Sequence, residues 1–178
     1  MSVESKYIAP KFKKKTNPKI GLLALSTDLT IEKDFHSICN KLPFDVFVNR
    51  IHNENPLTRE NLTKMYDQIE PITEKILPGQ KINTIAYACT SGTIAIGEDK
   101  VEEKIKLAKP GCYVTNPISS SIKAFKAMNA KKIALFTPYP ESINKIILEY
   151  FNKKNINIVS FNTFNIDLDE DIASVDPE

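Results

Sequence analysis

Cysteine and histidine are the scarce residues of this chain, three and two among 178. Cys39, Cys89 and Cys112 are odd in number and widely spaced, with no C-x-x-C and no His/Cys cluster. This pattern argues against a disulfide framework or a zinc site and for a reducing, cytoplasmic setting. His36 and His52 each stand alone, without the partners a catalytic triad or a metal centre needs. Long apolar runs are also missing. The longest, residues 20–25, is strand-sized, whereas a membrane-spanning helix needs about 20 residues. The reading therefore expects neither a secretory leader nor a membrane partner. Charge of one sign is not in excess either. Lys and Arg number 24 against 22 Asp and Glu, and a net charge of +2 gives no reason to expect a nucleic-acid partner. The one basic cluster, Lys11, Lys13, Lys14 and Lys15, lies in a stretch without apolar periodicity, and residues 1–18 read as a solvated, flexible leader.

What is present is an alternation. Short apolar runs at 20–25, 44–48, 85–88, 113–115, 133–136 and 156–161 show little in/out alternation. That is how parallel strands covered on both faces look. Amphipathic stretches separate them. Ile143, Ile146, Ile147, Tyr150 and Phe151 share one helical face, with Pro140 at the first turn. Ile118, Ile122 and Phe125 follow Asn116 as N-cap and Pro117 as first helical residue. A longer stripe, Leu62, Met65, Ile69, Ile72 and Ile76, follows Thr58, and Pro71 is expected to kink or split it. Further helices are expected over 30–40 and 99–109. The order specifies an α/β fold with a parallel sheet and right-handed crossovers. The turn Lys109-Pro110-Gly111 is the expected boundary between a first lobe, 19–111, and a second, 112–178. An acidic cluster at 167–171 reads as the first turn of one more helix.

Open parallel sheets bind ligands beyond the carboxyl ends of their strands. Those positions hold Ser26 to Glu32, Cys89 to Thr93, Thr115 with Asn116, and Thr137 to Tyr139. Small hydroxyl, amide and phenol groups of this kind suit a small polar anion. A thiol before a loop of small residues lies near free backbone N–H groups, which with the Thr90 and Ser91 hydroxyls would hold an oxyanion and pull the thiol toward thiolate. Cys89 fits equally well as a small buried hydrophobe ending a strand. Asp28 reads also as an N-cap, Glu32 as a first-turn charge, and Tyr139 as a ring packed at a helix start. Cys39 and Cys112 fall near the opposite edge of the sheet and are expected to be structural.

Taken together, Ile20-Gly21-Leu22 through Asp28 to Phe35, Ala88-Cys89-Thr90-Ser91-Gly92-Thr93, Val114-Thr115-Asn116-Pro117 and Thr137-Pro138-Tyr139 resemble the Asp/Glu racemase superfamily. The resemblance is to its maleate isomerase and arylmalonate decarboxylase branch, and within it to the ectoine-utilisation (EutA) proteins. It implies two Rossmann-like lobes with a site between them and cofactor-free, metal-free chemistry on a small carboxylate, in ectoine or amino-acid catabolism. It implies Cys89 as the catalytic thiol, Thr90 and Ser91 as oxyanion donors, Tyr139 as a donor to the carboxylate, and Asn116 as a further substrate contact. Asp28 falls where the isomerases have a substrate-binding Asn, a change that suits a substrate bearing an amine. Family members continue into a second cysteine loop, so the resemblance further implies an incomplete second lobe, completed or covered in a homo-oligomer. Two functional classes follow: an enzyme of the racemase or isomerase type, or a truncated, non-catalytic homologue that binds a ligand or another subunit.

Overall fold

The structure is a computed structural model that describes residues 6–12 and 17–176. Lys13, Lys14 and Lys15 of the basic cluster lie outside the described residues. Tyr7, Ile8 and Phe12, in the described part of the leader, are exposed.

The first strand, β1 (Lys19–Leu25), carries Leu22, Leu23 and Ala24 with no exposed surface, as expected of a central strand covered on both faces. It pairs in parallel with β2 (Asp45–Ile51) on one side and β3 (Thr84–Tyr87) on the other. β4 (Tyr113–Thr115) adds to β3, giving the order β2-β1-β3-β4. β2 runs three residues past the expected run, through Asn49 and Arg50. As an edge strand it leaves those side chains in partly open positions, where polar residues cost little. A second sheet pairs β5 (Lys132–Thr137) with β6 (Asn157–Thr163), also in parallel. The Lys109-Pro110-Gly111 turn does not separate the sheets. β4 follows it and still belongs to the first, so the division falls between β4 and β5.

Helix α1 (Ile31–Cys39) follows β1, and α2 (Arg59–Lys64) starts behind Thr58, whose Oγ1 accepts the Asn61 N–H at 3.1 Å. The long apolar stripe is split, but not at Pro71. The break falls at Met65, and Pro71 sits inside α3 (Tyr66–Glu74). A proline ring collides with the carbonyl four residues earlier, here that of Asp67 in the first turn of α3. The distortion is thus felt upstream of the proline. Met65, at the break, is 1% exposed and anchors both segments in the core.

One helix was not legible at all. α4 (Thr90–Ile96) begins where a loop was expected and leads into α5 (Glu98–Ala108) through Gly97, whose φ of 105° only glycine adopts readily. The composition TSGT is a poor helix former. Its small residues serve close packing instead. A Cβ at Gly92 would lie 2.6 Å from Met65, 2.7 Å from the Cys89 sulfur and 3.0 Å from the Tyr87 hydroxyl. Beyond β4, Asn116 and Ser119 cap α6 (Pro117–Ala127) reciprocally. α7 (Glu141–Lys153) buries Ile143, Ile147 and Phe151 in one core that also includes Leu23, Ile51 and Ile85. The acidic cluster opens α8 (Asp169–Ala173), as its first-turn charges imply.

Candidate active site

The chain turns in opposite directions from β1 and β3, to β2 on one side and β4 on the other. The carboxyl ends of β1 and β3 therefore flank the switch point of the sheet. Asp28 follows the first and Cys89 the second. Both line a cavity of about 280 Å³, with Thr90, Ser91, Tyr139 and Asp169.

Cys89 is the N-cap of α4. Its sulfur accepts the Gly92 N–H at 3.2 Å and lies 3.8 Å from the Ser91 hydroxyl, while the Thr93 hydroxyl donates to the Cys89 carbonyl at 2.5 Å. Thr90 and Ser91, opening the helix, have no carbonyl one turn back for their N–H groups. The side chain is 3% exposed. Burial pushes the thiol up to about 11, against the Gly92 N–H and the Ser91 hydroxyl, which lower it; the charges of Asp169 and Asp28 add to the rise. The expected pull toward thiolate is thus overturned. The hydrogen bonds anticipated from the sequence are present, but desolvation and two carboxylates outweigh them. The group in the cavity is a thiol with its proton on.

Two phenols stand by the sulfur. Tyr87, fully buried, and Tyr139 are both held above the usual phenol range, first by burial and then by the proximity of Cys89; the Thr90 and Ser91 hydroxyls work the other way on Tyr139. Tyr139 is placed through its backbone. Its carbonyl accepts from Asn144 Nδ2 at 2.6 Å and from the Thr163 hydroxyl at 2.7 Å, and Asn144 in turn accepts from Thr137 at 2.5 Å. The tips of β5 and β6 therefore fix the tyrosine that faces the tip of β3.

Asp28 lies two residues before Thr30, the N-cap of α1. Its Oδ1 accepts the Thr30 and Ile31 N–H groups, each at 2.8 Å, where the chain enters α1, and the residue lines the cavity. Asn116 does not line it. Its Oδ1 accepts the Ser119 N–H at 2.7 Å, and Pro117 reaches the cavity in its place. Glu32 pairs with Arg50 at 2.7 Å. Cys39 ends α1 and Cys112 is buried at the start of β4; the three cysteines are unpaired.

Five contributors are not legible in the sequence: Asp169, Arg50, Ile172, Ala173 and Val175. Asp169, from the start of α8, reaches back across the chain. Its Oδ2 accepts from Thr27 Oγ1 at 2.5 Å and from Asn53 Nδ2 at 2.9 Å, and its N–H donates to Asn55 Oδ1 at 3.1 Å. Arg50 donates to the carbonyls of Leu25, Ser26 and Asp28, which fixes the loop carrying Asp28. Ile172, Ala173 and Val175 cover the cavity. The acidic run signalled a helix start; nothing in it signalled a contact 142 residues away. Among the described residues no group of three His, Cys, Asp or Glu side chains could hold a metal ion, and no helix is long and apolar enough to cross a membrane.

No protein-family profile matches the chain. It is 23% identical to a maleate isomerase of Geobacillus stearothermophilus over 174 residues, covering 89% of this chain and 68% of the relative. Among solved structures it superposes on Nocardia farcinica maleate cis-trans isomerase with a covalently bound succinylcysteine intermediate. That match has a TM-score of 0.79 at 19% identity and covers 90% of this chain and 69% of the other. It also superposes on a liganded arylmalonate decarboxylase with a TM-score of 0.68 at 15% identity, covering 90% and 67%. The class is therefore an α/β protein built on parallel sheets. In particular, the fold is the one shared by the maleate isomerases and arylmalonate decarboxylases.

Proposed function

We propose that this protein is a cofactor-independent enzyme of the isomerase or racemase type, and that it acts on a small carboxylic acid through the Cys89 thiol. The observation that carries the reading is the convergence of Cys89, Thr90, Ser91 and Tyr139 on one cavity, in a fold shared with maleate isomerases. In this role the Thr90 and Ser91 hydroxyls and the Tyr139 phenol donate to the acid's carboxylate. They bind it more strongly as negative charge moves onto it from the neighbouring carbon. Cys89 as thiolate takes a proton from that carbon, the C–H electron pair passing to the carboxylate as an enediolate, and the thiol so formed gives a solvent-exchangeable proton back to the carbon as the carboxylate re-forms. A thiol that keeps its proton at neutral pH suits the giving step. The test is solvent exchange. Incubated in D2O with a panel of small carboxylic acids, maleate among them, the protein should introduce deuterium beside the carboxylate of at least one. The Cys89→Ser variant should introduce none. Absence of exchange with every acid would remove the reading.

A second reading, a non-catalytic homologue that binds a ligand or another subunit, is favoured by the burial of Cys89 and its raised pKa. It predicts binding without exchange. Three finer assignments complete the proposal. The sequence resemblance supports a place in ectoine or amino-acid catabolism. The unpaired cysteines support a cytoplasmic location. Exposed Leu29, Ile38, Leu42, Phe44 and Val48, around α1 and β2, support a homo-oligomer, which sedimentation would reveal.

A further inference from the structure

Among the described residues, Tyr87 is the largest side chain with no exposed surface, and its hydroxyl is poorly matched to its surroundings. The O–H donates to the Met65 sulfur at 3.7 Å, and a thioether is a weak acceptor. Buried hydroxyls normally find a stronger partner, because desolvating them without one costs stability. A phenylalanine ring would fill the same space without that cost. Packing therefore does not account for the oxygen, but the neighbouring thiol does. Cys89 lies two residues past Tyr87 and is still extended, with φ −133° and ψ 112°, so the two side chains leave the strand on one side. They meet across the position that Gly92 leaves empty. A Cβ there would stand 2.7 Å from the Cys89 sulfur and 3.0 Å from the Tyr87 oxygen. The sulfur is within hydrogen-bonding reach of the phenol, and Tyr87 does not line the cavity.

We propose that Tyr87 is a positioning residue for the Cys89 sulfur: its O–H turns from Met65 to Cys89 when the sulfur becomes thiolate, and it holds that charge from the core side of the site. A phenol hydrogen rotates about its C–O bond, so one hydroxyl serves the thioether in one state and the thiolate in the other. The other titratable groups facing the sulfur are Asp28 from the loop after β1, Asp169 from α8 and Tyr139 after β5. The two carboxylates oppose a negative sulfur, and no lysine, arginine or histidine lines the cavity. Uncharged donors must therefore carry the thiolate. Thr90, Ser91 and Tyr139 are committed to the bound acid in the proposed function, which leaves the Gly92 N–H, at 3.2 Å, and the Tyr87 hydroxyl. The proposal rests on that function for the thiolate's use, but the hydrogen bond itself does not require turnover.

Tyr87→Phe tests the proposal, because the ring stays and only the O–H goes. Alkylation of Cys89 by iodoacetamide is followed by peptide mapping from pH 7 to 10, with half-exposed Cys39 in the same molecules as the reference. A hydrogen bond to a charged group is worth a factor of about ten or more. Cys89 in the variant should therefore react about tenfold or more slowly at each pH, a profile displaced by about one pH unit or more toward alkali, while the Cys39 profile stays in place. The urea midpoint at pH 7 should hold or rise, since the variant no longer buries a poorly paired hydroxyl. Met65→Leu removes the resting acceptor and keeps the phenol, so its Cys89 should react as fast as in wild type or faster. An undisplaced Cys89 profile in Tyr87→Phe would overturn the proposal. So would a loss of reactivity in Met65→Leu as large as in Tyr87→Phe, which would trace the effect to packing. The two proposals fail separately. A displaced profile with no deuterium exchange in wild type keeps Tyr87 in this role and removes the enzyme. Exchange in wild type with an undisplaced profile does the opposite.

Discussion

Replacing Cys89 by serine should flatten the alkaline limb of the protein's stability curve. A buried thiol whose pKa is raised to about 11 from an ordinary 9.0 favours its protonated form in the folded state. Its contribution is therefore complete below pH 9, where both folded and unfolded chains hold the proton. It is lost as pH rises through 11, because the unfolded chain releases its proton first. Two pKa units at about 1.4 kcal/mol each put the loss at roughly 2 to 3 kcal/mol. Serine keeps a side-chain oxygen where the sulfur accepts the Gly92 N–H, and it does not titrate in this range. Tyr87 and Tyr139 are also raised, chiefly by burial, which both proteins share; the part of their rise that comes from Cys89 is absent from the variant and adds to the difference in the same direction. Urea unfolding of wild type and Cys89→Ser at intervals from pH 8 to 11.5 measures the difference directly. The wild-type midpoint should fall more steeply above pH 9, with the two curves converging or crossing. Parallel curves would refute the claim that burial and the two aspartates hold the proton on this sulfur.

The same state makes Cys89 slow to alkylate. At pH 7.5 iodoacetamide should modify half-exposed Cys39 first and reach Cys89 about a hundredfold more slowly than a thiol of ordinary pKa, as peptide mapping would show. Gly92→Ala should cost about 1 to 3 kcal/mol in urea unfolding and disturb ligand binding, since the new methyl would press on Met65, Cys89 and Tyr87. Asn116→Ala should cost about 1 kcal/mol through loss of the α6 cap and leave ligand affinity unchanged; a large loss of affinity would restore Asn116 to the site.

The strands were legible because their apolar content records burial on both faces; Leu22, Leu23 and Ala24 are the clearest case. The tips of β1, β3, β4 and β5 follow from the topology rule, and three of these four bring Asp28, Cys89 and Tyr139 to one cavity. Legibility ended where tertiary packing overrides local preference. Thr90 to Thr93 look like a loop, and they form a helix because only small side chains fit against Met65 and Tyr87. Which of the two readings of Cys89 holds is not legible in the sequence for a related reason. The hydrogen bonds that favour thiolate are local and visible in the sequence, whereas burial and the charge of Asp169 come from elsewhere in the chain. Asp169 itself looks like any first-turn acid until Thr27 and Asn53 are seen around it.

In the proposed chemistry one thiol, Cys89, moves the proton. Deuterium incorporation beside the carboxylate, followed by NMR for wild type and for Cys39→Ser, Cys89→Ser and Cys112→Ser in turn, tests this most directly. Exchange is expected in wild type and in the Cys39 and Cys112 variants at closely similar rates, and its loss in Cys89→Ser alone. Exchange that persists in Cys89→Ser, or that disappears with Cys39 or Cys112 while the fold is intact, would contradict it.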